Sequence, residues 1–191
     1  ESPEGQAYED FQKYLKSLKK IGIILNINSK NDKRKALKGL KKEENILKEK
    51  DFVLIKANWK NKAENIKEIC QELNLLPDSL VFIDDDKRER ELVTEQIPEV
   101  VAPPLDRVEN YIELIDRSGF FEKTIFTKED ERKTEQYRKE EERKKLKIKF
   151  KKYDDYLKSL KMKAEMGFFN KKYLARIEQL INKSNQFNLR A

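Results

Sequence analysis

Ser79-Leu80-Val81-Phe82-Ile83-Asp84-Asp85-Asp86 is an apolar run that stops in three consecutive acids, and Lys87-Arg88-Glu89-Arg90 follows it as a polar helix start. Framed by helical patterns, such a run reads as a buried parallel strand, and the carboxyl end of such a strand is where open α/β sheets bind ligands. Adjacent carboxylates repel one another unless a cation lies among them. Mg²⁺ takes oxygen ligands of this kind, with one or two carboxylates plus a substrate phosphate. A second reading needs no metal: Asp85 or Asp86 caps the following helix by accepting its free N–H groups.

On either side of this run helix and strand alternate. Tyr8, Phe11, Tyr14, Leu15 and Leu18 have helical spacing over 7–20, and 21–27 then reads as a strand. It stops at the turn and cap residues Asn28-Ser29-Lys30-Asn31-Asp32, with Asp32 opening a helix that carries Ala36, Leu37 and Leu40. A short strand over 52–55 ends near Asn58-Trp59-Lys60, and a helix over 62–73 keeps Ile66, Ile69, Cys70 and Leu73 on one face. After the acids come a helix over 88–95, a strand over 99–102, a Pro103-Pro104 break and a helix over 106–118. This alternation predicts a doubly wound, Rossmann-like parallel sheet. Right-handed crossovers put all the strand ends on one side of it, so Ser29, Lys60 and Asp84 to Asp86 are expected to converge. Singly, each has a plainer reading as turn hydroxyl, solvated lysine or helix cap.

Composition narrows the chemistry. Of 191 residues 37% are apolar and 41% charged, so much of the chain is solvated surface. Histidine is absent and Cys70 is the lone cysteine, which excludes Ser-His-acid and Cys-His catalysis, a His-ligated metal and a disulfide framework. The net charge of +7 is spread among acids and forms no clean basic stripe, so no nucleic-acid partner is expected. No apolar stretch approaches the ~20 residues of a membrane span, and a cytoplasmic location without membrane contact is the expectation.

From 128 to 150 the sequence is almost entirely Glu, Lys and Arg, with pairs such as Glu135 with Lys139 and Glu140 with Lys144 that support an exposed helix by ~0.2–0.5 kcal/mol each. It reads as a solvated connecting helix. Apolar side chains then return in a short helix over 154–160, an extended piece over 162–169 and an amphipathic helix over 171–182 carrying Leu174, Ile177, Leu180 and Ile181. That segment is too short to bury a core of its own and reads as the start of a second α+β domain. The expected division is 1–126, 127–152 and 153–191.

Four stretches carry a family resemblance: Ser-Lys-Asn-Asp at 29–32, Asn-Trp-Lys-Asn-Lys-Ala-Glu-Asn-Ile at 58–66, Phe-Ile-Asp-Asp at 82–85 with Arg88 to Glu91, and Asn-Lys-Ser-Asn-Gln-Phe-Asn-Leu at 182–189. They closely resemble the FkbH-like proteins, class IIIC of the haloacid dehalogenase superfamily, and the resemblance covers essentially the whole chain. It implies phosphoryl transfer with Mg²⁺ on a small phosphorylated metabolite. Ser29 would hydrogen-bond a phosphoryl oxygen, with Lys30 and Asn31 beside it at the phosphate. Lys60 would neutralise charge on nucleophile and phosphoryl group, and Lys62, inside the helix start, is the second choice. Asp84 and Asp85 would hold Mg²⁺, while Asp86, where the family usually has Asn, would cap the helix or support the site from outside. The tail from Tyr153 resembles the opening of the family's acetyltransferase-like domain.

Two departures qualify what the resemblance implies. The family's aspartate nucleophile motif, Asp-x-Asp on an initial, central strand, is missing, so the sheet is expected to lack that strand, the polypeptide to be part of a longer protein and, alone, inactive. Some members load a glyceryl unit from an acyl phosphate onto an acyl carrier protein, and often have Cys directly before the motif's Ser. Asn28 stands there and cannot form a thioester, which favours plain phosphatase chemistry. A carrier-docking module, using the Lys-rich 128–150 stretch, is the alternative from another class.

Overall fold

The computed structural model describes residues 3–105, 107–122, 130–168 and 170–183. It divides into two compact units, Glu1–Ile148 and Lys149–Ala191.

In the first unit, Leu25–Lys30 (β1) and Phe52–Asn58 (β2) pair in parallel, with Ser29 level with Ala57 and Lys30 with Asn58. Strand alternation sends Leu25 and Ile27 to one face, where they pack with Leu15, Leu40, Leu47 and Ile55. Asn26, Asn28 and Lys30 go to the other. The register slips between Leu25 and Ile27, and the amide of Leu54 at that bulge donates to Asn26 Oδ1 at 3.0 Å. β1 begins four residues later than the apolar pattern suggests, because Ile21 and Gly22 finish the preceding helix, Pro3–Lys20 (α1). Gly22 has φ +91°, donates to the Lys19 carbonyl at 3.0 Å, and lets Ile23 donate to Leu18 at 3.1 Å, the pairing that closes a helix on a left-handed residue.

Lys33–Leu40 (α2) is capped by Asp32, as expected, through bonds from Arg34 N–H and Lys35 N–H. Lys62–Leu73 (α3) lies where its periodicity puts it. Its N-cap is Asn61, and it ends at Asn74 with φ 53°. Ala63, Ile66 and Cys70 of α3 pack on Phe82, Val93, Ile97 and Val100, while Ile69 and Leu73 meet Leu54 of β2. Lys87–Gln96 (α4) and Tyr111–Arg117 (α5) follow, and Tyr111 and Ile115 form a further cluster with Phe11 and Tyr14 of α1. Asp106, the expected start of the last of these helices, lies outside the described residues.

The two short strands expected at 79–83 and 99–102 are reduced to one parallel bridge, Val81 with Val101. Phe82 N–H donates to the Val101 carbonyl at 2.8 Å and Val101 N–H to the Leu80 carbonyl at 3.2 Å. Among the described residues this pair does not join β1 and β2, so the sheet is interrupted between β1 and the Val81 segment. The architecture is the expected α/β one, with two parallel pairs in place of one continuous sheet.

Lys133–Ile148 (α6) corrects the solvated-connector reading. Thr134, Tyr137, Glu141 and Lys144 form a stripe at helical spacing; Tyr137 packs on the Leu54 and Leu73 cluster, and Lys144 Nζ donates to the Glu72 carbonyl. A few semi-polar side chains suffice for one buried face, and their signal is lost among the surrounding charges. In the second unit, Tyr153–Ser159 (α7) has Tyr156 flanked by Phe150 and Tyr153, with centroids 6.1 and 5.9 Å away. Leu174–Lys183 (α8) follows a short 3-10 turn. Residues 162–168 form no strand, and Phe169 and 184–189 lie outside the described residues.

Candidate functional site

Beyond Ile83 the chain leaves the strand direction and its acids separate in role. Asp84 is buried at 8% exposure; its Oδ1 accepts from Asp86 N–H at 3.0 Å and its Oδ2 is ion-paired with Lys62 Nζ. Asp86 is the N-cap of α4 through Arg88 N–H at 2.9 Å. Asp85 is exposed, and its carboxylate has no partner among the described residues. Behind the three, the buried guanidinium of Arg90 donates to the carbonyls of Asp84 at 2.7 Å, Asp85 at 3.1 Å and Leu105 at 2.9 Å. Sequence reasoning assigned Arg90 no role; its only cue is an arginine one helical turn into α4 after an acidic loop.

Lys62, the second choice from sequence, is the lysine that reaches the acids. Its side chain is 12% exposed and lies in the first turn of α3. Lys60 turns the other way: 54% exposed, it pairs with Glu68 at 2.6 Å. Lys56 and Lys60 together hold the Glu68 carboxyl at about 2, well below its ordinary range. Asn61 caps α3, so Lys60 precedes the helix while Lys62 is inside it, on the face toward Asp84.

At the end of β1, Asn28 Nδ2 donates to the Lys62 carbonyl at 2.8 Å, and Lys30 Nζ is ion-paired with Glu89 of α4. The structure thus brings Lys30, Lys62 and Asp84 to one end of the strands. Ser29 lies between Asn28 and Lys30, half-buried, and alternation turns it to the face of Leu25 and Ile27; its hydroxyl makes no hydrogen bond among the described residues. Asn31 is exposed, and its Oδ1 accepts from Asp32 N–H at 2.8 Å, a turn contact.

Between β1 and the Val81 segment lies a cavity of about 600 Å³, lined on one side by Leu25, Asn26 and Asn28 and on the other by Val81, Phe82 and Ile83. Phe11, Leu15 and Leu18 of α1 cover one face and Ile66 and Ile69 of α3 the other. Since Leu80 and Phe82 turn their backbone groups to Val101, alternation turns those of Val81 and Ile83 into this slot. Its lining reaches Asn28 and Ile83, next to the strand ends where Lys30, Lys62 and Asp84 gather, and those three do not themselves line it.

The donor set suits a hard cation only in part. Asp85 offers an open carboxylate and Asp84 one already shared with Lys62, and the described residues contain no group of three or more acidic, Cys or His side chains able to hold a metal.

Residues 2–92 match the family model of haloacid dehalogenase-like hydrolases. The matched stretch is just under half of the chain. No curated protein matches the sequence. Among solved structures it is similar to the N-terminal part of protein BF1531 from Bacteroides fragilis, described as containing a phosphatase domain and complexed with Mg, at 38% identity and a TM-score of 0.64. The match covers 66% of this chain and 34% of that one, so the chain spans about a third of its relative. The matched stretch includes β1, β2, α3 and the acidic loop, that is, every side chain of the site just described. No helix among the described residues is long and apolar enough to cross a membrane.

Proposed function

We propose that these residues are the phosphatase-like region of an FkbH-type, class IIIC enzyme that transfers a phosphoryl group from a small phosphorylated metabolite with Mg²⁺, the second unit being the start of an acetyltransferase-like domain. The observation that carries this reading is the meeting of Lys62 and Asp84 at the ends of the strands, with the open Asp85 next to them. Similarity to a Mg-complexed phosphatase domain supports it.

Asp85, with Asp84, would hold the cation, which when bound neutralises developing charge on the phosphoryl oxygens. Lys62 compensates the buried acid and places a positive charge at the strand ends, and Lys30 adds a second on the β1 side. Ser29 offers an uncommitted hydroxyl. Such fixed charges lower the barrier because they need no reorganisation as the reaction proceeds. The aspartate nucleophile would arrive on an apolar strand seated in the slot, between two edges that have backbone groups to pair with it. Phosphatase chemistry is favoured over acyl loading because Asn28, at the position that would bear a thiol, has its amide committed to Lys62 and Asn65.

The test is Mg²⁺-dependent hydrolysis of an aryl phosphate by the 191 residues and by a version preceded by a strand bearing Asp-x-Asp. Activity confined to the second, and lost in Asp85→Asn, is the expected result. Activity of the short form, or its persistence in Asp85→Asn, would overturn the assignment.

A further inference from the structure

Behind Lys62 lies a set of three linked amides that the reading above leaves without a role. Asn65, one turn further along α3, is wholly buried at 0% exposure. Its Nδ2 donates to Asn28 Oδ1 at 2.9 Å and to Asn58 Oδ1 at 3.1 Å, and its Oδ1 accepts from Asn58 Nδ2 at 3.0 Å. Asn28 Nδ2 passes on to the Lys62 carbonyl, and Asn58 Oδ1 also accepts from Lys60 N–H at 3.0 Å. One carboxamide, with two donors and an acceptor, therefore ties together the ends of both strands and the first turn of the helix that carries Lys62.

We infer that Asn65 is a positioning residue: acting through Asn28, it fixes the backbone of Lys62 so that the ammonium stays against Asp84. A burial argument alone would fill this site with Leu, of similar volume. A polar group with no exposure is costly unless every bond is made. Here both Asn65 N–H donors and its carbonyl oxygen have partners, and each bond lands on Asn28 or Asn58. Asn28 of β1 makes the hydrogen bond to Lys62, and Asn65 holds that Asn28 side chain in place, whereas Lys30 reaches α4.

The inference rests on the phosphoryl-transfer reading for its functional meaning, and its test does not. The Lys62 ammonium, withdrawn from solvent and bonded to Asp84, is expected to give a slowly exchanging side-chain NMR signal in the 191-residue chain, identified by its absence in Lys62→Arg. In Asn65→Leu that exchange accelerates at least about tenfold while the fold persists. Ile115→Val, in a separate cluster, lowers stability without moving the Lys62 signal, which distinguishes loss of positioning from general loosening. If Asn65→Leu does not fold, Asn28→Ala, at a half-buried strand position, removes the same link and predicts the same acceleration. A Lys62 signal unchanged in whichever variant folds would overturn the inference. Failure of the aryl phosphatase assay with an accelerated Lys62 signal would instead remove the functional reading and leave the positioning role standing.

Discussion

Lys62 and Asp84, 22 positions apart in sequence, meet side chain to side chain with the two groups 12% and 6% exposed. The pair joins α3 to the loop where the Val81 segment ends, and so sets one wall of the candidate site. Taking two charges out of water is expensive, and removing one partner is costlier than keeping both.

Lys62→Met therefore leaves a buried carboxylate uncompensated, and the expected loss is about 3–5 kcal/mol in urea unfolding at neutral pH. Adding Asp84→Asn to that variant removes the uncompensated charge and restores most of the loss. A double variant as unstable as Lys62→Met alone would mean that Asp84 does not depend on Lys62.

Arg90 serves the same loop from behind, giving three hydrogen bonds to carbonyls from within the core. Arg90→Ala strands those carbonyls, and a loss of about 3 kcal/mol is expected, with faster amide exchange at 84–86. All three bonds come from Nη1, at the end of a side chain longer than that of Lys, so Arg90→Lys is expected to recover less than half. Equal stability of the Lys variant and the parent would show that charge alone, without geometry, is what the loop requires.

What could be read in the sequence, and what could not, follows from where each signal resides. The α3 boundaries were legible because Asn61 caps it and Ile66, Ile69 and Leu73 repeat at helical spacing, both local features. The start of β1 was not, because Ile21 looks like a strand residue and only the positive φ of Gly22 reveals that the helix is still closing. Asp86 was legible as a cap, because the acid and the helix start it closes belong to one short stretch. The choice between Lys60 and Lys62 was not local: it depends on which side of the Asn61 cap each falls and on Glu68 capturing the first. Asn65 and Arg90 carry almost no sequence signal, since their partners are backbone carbonyls or amides brought together only by the fold.

Acid stability tests a second buried carboxylate. Burial alone would raise the Asp51 pKa, but the Lys19 ammonium at 2.6 Å and the Lys48 amide at 2.9 Å outweigh it and hold the carboxyl below its ordinary 3.8. A depressed folded pKa contributes stability above the unfolded value that is lost as pH falls through the folded one. Unfolding free energy is thus expected to hold from neutral pH to about 4 and to fall below it, and Asp51→Asn flattens that acid limb. Glu68, also depressed, titrates between 4.5 and about 2, but it is a third exposed, and Glu68→Gln changes stability by less than about 1 kcal/mol. An acid limb unaltered by Asp51→Asn would refute the assignment.

The two lysines make the sharpest functional test, because sequence and geometry rank them differently. Lys60 is half exposed and already neutralises Glu68, on the far side of the α3 cap from the acids. Lys62 is ion-paired with Asp84, next to the open Asp85. In the version bearing an Asp-x-Asp strand, Lys60→Ala is expected to keep aryl phosphatase activity within about threefold, a change of under 1 kcal/mol in the barrier. Lys62→Gln, once shown to fold, is expected to lose about 100-fold in kcat, the scale of deleting one fixed charge-stabilising group. The opposite ranking would require the loop around Trp59 to turn over and deliver Lys60 to the acids when substrate binds. Loss of the Lys60–Glu68 pair would then accompany activity, and Glu68→Gln would raise the rate where the present geometry predicts no effect.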